Sequence, residues 1–145
     1  MPSMWADTLQ SLERSYLLQL LAWAMASVLI GTITLAWIKH RNWQTVLLQQ
    51  FSMQTTLWGV VESAFALLLL TRLSLRDLAG AIRLDRIVWL SIGLEIGLVL
   101  AGFALVWSGS RAQRAALVGT GGAIVLQGAA LATLHLVLAA QLSRG

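Results

Sequence analysis

Four stretches of this chain are each apolar for about twenty residues, and they leave few ways to fold. They run about Tyr16–Ile38, Phe51–Leu70, Ile87–Trp107 and Ala115–Leu138. A helix rises 1.5 Å per residue, so roughly 20 residues cross ~30 Å of hydrocarbon. The pattern predicts an all-α, integral membrane four-helix bundle, with helices at about 16–38, 51–70, 87–107 and 115–138. Residues 1–145 form a single transmembrane domain in this reading. The first apolar run extends past the 7–15 residues of a signal-peptide core, so it is read as a retained helix.

Composition agrees with lipid as the solvent. Residues are 58% hydrophobic and 11% charged, against about 45–50% and about 25% in ordinary soluble domains. A soluble fold of this size keeps too much of its surface wet to hide so much apolar area. Cysteine is absent, which excludes disulfides, thiolate metal sites and cysteine nucleophiles. The formal charge of +4 is spread over termini and loops and does not indicate nucleic-acid binding. A single-strand binder would interleave aromatics with a basic groove, whereas the tryptophans lie in or beside the apolar runs. Nine of the ten basic residues are Arg, which associates the chain with a GC-rich bacterial genome.

The connections are short except the middle one, "TRLSLRDLAGAIRLDR". There Ser74 followed by Asp77 resembles a helix start with the serine as cap. Leu75, Leu78 and Ile82 share a face, predicting a short amphipathic segment at about 75–83 on the membrane surface, either separate from or continuous with the third helix, with a solvated loop as the alternative. Arg14, Arg72, Arg76, Arg83, Arg86 and Arg144 fall on one side, and Lys39, Arg41, Arg111 and Arg114 on the other. Cytoplasmic loops carry the excess of basic residues, so six against four leans towards cytoplasmic termini. Trp37, Trp43, Trp89 and Trp107 stand near predicted boundaries, while Trp23 and Trp58 lie deeper, as packing residues.

Polar groups inside the apolar runs are the candidate site. A charge at the centre of a membrane helix costs about 2.5–3.5 kcal/mol on insertion scales, so such residues face protein or water. Glu62 lies eight residues before Leu70 and Glu95 eight after Ile87, so both sit about 12 Å from the same end. Gln127 is predicted to reach this layer, with Ser91 on the Glu95 side of the third helix. His135 is read as a hydrogen-bonded boundary residue at the depth of Gln19. Gln54, Trp58 and Glu62 form one stripe of the second helix. Gly93, Gly97, Ala101 and Ala104 share a face of the third and suit close helix packing, as do Gly121 and Gly128 on the fourth.

Three readings of the acids follow. A neutral carboxyl can donate to its neighbour, to Gln127 or to a backbone carbonyl and fix helix register. Alternatively, the pair is a proton relay or ion site, or it faces another subunit. Di-metal bundles need Glu-x-x-His, and neither acid has His three residues on. Haem held by two histidines fails because His40 and His135 fall at opposite ends. No metal, cofactor or catalytic residue is therefore expected.

"QTTLWGVVE", "IVWLSIGLEIGLVLAG" and "VLQGAALATLH", in that order, resemble a family of small bacterial four-helix membrane proteins of unknown function. Members show a Trp and a small residue or Asn, then a polar residue four on from the Trp. A G-L-D-like acid follows in the third helix and a Q-G pair in the fourth. The matching positions are Trp58, Gly59, Glu62, Gly93, Leu94, Glu95, Gln127 and Gly128, across the last three helices. Glu95 replaces an expected Asp, Glu62 an Asn or Asp, and His135 a late acid. The resemblance implies the fold and a polar layer, and no activity. The expected role is a non-enzymatic accessory, assembly or stabilising subunit of a bacterial inner-membrane complex, bound to lipid and to other subunits or its own copies. The alternative is a small oligomeric proton- or ion-linked carrier using Glu62 and Glu95. A membrane enzyme or a pigment- or quinone-binding subunit ranks below both.

Overall fold

The computed structural model describes residues 2–43 and 45–143, with side chains from residue 6 onward. Arg144, counted above towards the more basic side, lies outside the described residues. Four helices account for nearly all of the chain: α1 (Pro2–Arg41), α2 (Val46–Thr71), α3 (Leu78–Arg111) and α4 (Ala115–Leu142). All four are long and apolar enough to cross a membrane. Their outward faces suit lipid: Leu90, Leu94, Leu100 and Trp107 are 63–72% exposed, far more apolar surface than water tolerates on a monomer.

Short connections make successive helices antiparallel. The α1–α2 and α3–α4 turns use one device. Asn42 and Gln113 both adopt φ of 53°. The amides beyond them then reach back five residues, Trp43 N–H to the Ile38 carbonyl at 3.1 Å and Arg114 N–H to the Gly109 carbonyl at 2.8 Å. This left-handed helix ending satisfies carbonyls the helix leaves open. Asn tolerates that conformation through its short side chain; Gln113 does so at a steric cost.

The α2–α3 connection differs from expectation. Asp77, not Ser74, caps α3, its carboxylate accepting the Gly80 N–H at 2.7 Å. The acid wins because a negative group at a helix start also meets the positive end of the backbone dipoles. The amphipathic segment is continuous with the third helix: residues 78–83 are the opening turns of α3, with Leu75, Leu78 and Ile82 exposed. Arg76 ties the connection to α1, donating to both oxygens of Glu13 at 2.8 and 2.6 Å. That bidentate hydrogen bond holds the Arg76 guanidinium more firmly protonated than usual.

Helix α1 packs on α2 and α3 on α4; the two pairs join where α2 meets α4, and α1 also touches α4. Although consecutive, α2 and α3 share no extended interface. The half towards the 72–77 connection has a core of large side chains, including Leu9, Tyr16, Leu17, Leu20, Val88, Ile92 and Leu138. The opposite half is held by glycines. A methyl group on Gly119 would strike the Leu47 carbonyl oxygen. One on Gly102 would meet the Gly121 carbonyl at 2.8 Å, and one on Gly121 the Gly102 carbonyl at 2.6 Å. Such contact of backbone with backbone needs the missing Cβ atoms.

Candidate functional site

Each helix sends one ionisable side chain to a common point in the large-core half. Glu62 comes from α2, Glu95 from α3, His135 from α4 and Tyr16 from α1. Periodicity explains the two acids. Leu84, Val88, Ile92, Glu95, Gly102 and Gly109 are the buried positions of α3, one stripe at spacings of three, four and seven. Glu62 sits in the corresponding stripe of α2, three residues after Gly59 and four before Ala66. Gly128 lets α4 approach the Glu95 turn, since a methyl group there would lie 3.2 Å from the Glu95 carbonyl oxygen.

His135 links the cluster. Its Nδ1 lies 2.6 Å from Oε1 of Glu95, a close approach without the alignment of a hydrogen bond. Its Nε2 is 2.7 Å from the Tyr16 hydroxyl, donor and acceptor depending on the imidazole tautomer. The two rings also pack, with centroids 5.0 Å apart. Glu62 and Glu95 are 6% and 4% exposed. They are within Coulombic range of one another and of Tyr16. Both Glu62 oxygens and Oε2 of Glu95 are shut off from solvent without a hydrogen-bond partner among the described residues. Neither acid is paired with Lys or Arg there. No group of three His, Asp or Glu side chains among the described residues is arranged to hold a metal ion.

Several expectations need correction. Gln127 does not join the acids. It is buried eight residues earlier on α4, accepting the Trp23 indole N–H at 2.7 Å and donating to Ser27 Oγ at 3.1 Å. It forms a second polar layer, built among the described residues with α1. His135 is hydrogen-bonded as expected but is no boundary residue: α4 continues seven residues beyond it to Leu142, and the half-buried imidazole joins Glu95 to Tyr16. Gln19, expected at its depth, is exposed on the outer face of α1. Ser91, half-buried one turn from Glu95, makes no side-chain hydrogen bond among the described residues. Gln54 and Trp58 are half-buried along α2.

The small face of α3 is also placed differently. Gly93 and Gly97 have nothing within 4 Å of a would-be Cβ, and Ala101 and Ala104 are exposed. Helix α3 packs through Gly102 and Gly109 instead, while Gly121 and Gly128 on α4 do face α3. Tyr16, Glu13, Trp23 and Ser27 were missed as site residues. Tyr16 and Trp23 lie seven apart and Ser27 four further on, a helical stripe of hydrogen-bonding groups in an apolar run. That spacing was the available signal.

Fold and site together define a four-helix transmembrane protein with a buried cluster of two acids, a histidine and a tyrosine. The chain belongs to a family of unknown function (DUF6992), whose profile matches residues 19–136. That span includes Glu62, Glu95, Gln127 and His135 and leaves Glu13 and Tyr16 outside it. No curated protein and no solved structure matches the chain.

Proposed function

We propose that the protein is a non-enzymatic accessory, assembly or stabilising subunit of a membrane complex, docking through the outward face of α3. One observation carries this reading: Gly93, Gly97, Ala101 and Ala104 form a small-residue face that no helix of the chain covers. Apolar helices gain little hydrophobic energy from meeting inside a bilayer, and close backbone approach at small residues is a main source of their attraction. The occupant is a transmembrane helix, from another subunit or a second copy. The Arg-rich composition and the six-to-four distribution of basic residues support a bacterial cytoplasmic membrane with both termini inside.

Purification of the tagged chain in mild detergent tests the reading. A larger complex is expected, and Gly93→Leu with Gly97→Leu should release the partner while leaving the bundle folded. A lone monodisperse monomer, unchanged by these substitutions, would count decisively against it. A second reading, a small oligomeric proton- or ion-linked carrier, draws on the buried unpartnered carboxyl of Glu62. It requires pH-dependent flux in proteoliposomes that disappears in Glu62→Gln and Glu95→Gln.

A further inference from the structure

We propose that Glu62, Glu95, His135 and Tyr16 form a proton-exchange site, filled and emptied from the side of the bundle that carries the α2–α3 connection. The inference goes beyond the subunit reading and does not depend on it. It rests on the same carboxyls as the carrier reading, but asks only that a proton come and go.

The geometry points to a ligand because Glu62 is unsatisfied. Its carboxyl is buried, within Coulombic range of Glu95 and Tyr16, and neither oxygen has a hydrogen-bond partner among the described residues. A buried acceptor without a donor costs roughly 1–3 kcal/mol, and more when charged, so a structural role alone leaves it unexplained. The titratable groups around it come from the other three helices: Glu95 of α3 and Tyr16 of α1 lie within Coulombic range, His135 of α4 adjoins both of these, and the Glu13–Arg76 pair stands one turn outward from Tyr16 on α1. No third ligand completes a metal site among the described residues. A proton needs only one lone pair.

Charge balance sets the count. Tyr16 stays neutral throughout. When the cluster is uncharged overall, two exchangeable protons are shared among Glu62, Glu95 and His135. With one proton it carries −1. One proton taken from water therefore moves the site from −1 to zero, the state that a low-dielectric surrounding favours. His135 touches both Glu95 and Tyr16. It can take a proton at one ring nitrogen and release the one at the other, with Nδ1 beside the Glu95 carboxyl and Nε2 beside the Tyr16 hydroxyl.

Position gives the side of entry. His135 is seven residues from Leu142 but twenty from Ala115, about 10 Å against about 30 Å along α4. Beyond the cluster in the long direction lie the Gln127 layer and the glycine contacts, where no ionisable side chain among the described residues continues a route.

Infrared difference spectroscopy on the full chain in phosphatidylcholine vesicles tests the proposal, with circular dichroism confirming intact helices. Acidification should raise one protonated-carboxyl band per chain. Glu62→Gln, a neutral isostere, should abolish or displace it. Tyr16→Phe, which keeps the ring, should shift its midpoint. With the chain inserted in one orientation, acid on the connection side alone should suffice. No carboxyl band, or one unchanged in both Glu62→Gln and Glu95→Gln, overturns the proposal. So does a band that sodium or potassium removes at fixed pH, since the occupant is then a metal cation. A response to acid on the opposite side overturns the route. Titration without proton flux supports the exchange site and eliminates the carrier reading, so the two fail separately.

Discussion

The two halves of the bundle are built on different principles. Towards the 42–45 and 112–114 turns, glycines put backbone against backbone, as at Gly102–Gly121 and Gly119–Leu47. Towards the 72–77 connection, Leu17, Leu20, Val88, Ile92 and Leu138 fill the space between helices, and all four helices contribute. Backbone contact leaves no volume for a side chain. A layer of large side chains does, and two carboxyls, an imidazole and a phenol occupy it. The site therefore lies in the half where large side chains predominate, just beyond the last close glycine contacts at Gly59 and Gly128.

The contrast is broken most directly at the glycines. Gly119→Ala, Gly102→Ala and Gly121→Ala should each destabilise by at least about 1–3 kcal/mol, because the new methyl meets backbone that cannot move aside. Thermal unfolding in detergent measures this. Gly93→Ala and Gly97→Ala, on the open face of the same α3 helix, should change monomer stability by less than about 0.5 kcal/mol.

In the other half the effect depends on chemistry more than volume. Glu95→Ala removes the group beside His135 Nδ1 and leaves a cavity, at a cost of about 2 kcal/mol. Glu95→Gln keeps the shape and should cost well under half of that. Equal losses in the two variants would mean that the cluster needs the carboxylate charge for folding. Gln127→Ala should cost about 1 kcal/mol by releasing Trp23 and Ser27, and a shifted Trp23 fluorescence would report it.

Surface devices come last. Gln113→Gly should stabilise by up to about 1 kcal/mol, since glycine adopts φ of 53° without a Cβ clash. Arg76→Ala should cost no more than about 1 kcal/mol, because the pair with Glu13 is partly open to solvent. The sign of its pH dependence follows from the guanidinium, which is held protonated more firmly in the fold than out of it. Its contribution is complete below the ordinary arginine range and is lost only as pH rises through the still higher folded value. A melting series between neutral and moderately alkaline pH should therefore show no loss traceable to Arg76.

The sequence by itself determined the medium, the number of helices and their order, because apolar runs near twenty residues have one compact solution in lipid. It also set the depth of Glu62 and Glu95, since a rise of 1.5 Å per residue turns position into height. Only the tertiary structure decided which way each helix turns. Membrane helices are apolar nearly all round, so polarity weakly marks the inner face, and interdigitation and hydrogen bonding choose it. That is why the Gly93–Ala104 face points outward while Gly102 and Gly109 point in. It is also why Gln127 pairs with Trp23 and Ser27, and His135 with Glu95 and Tyr16. Height could be counted along the chain, but azimuth emerged only when four helices had to satisfy one another.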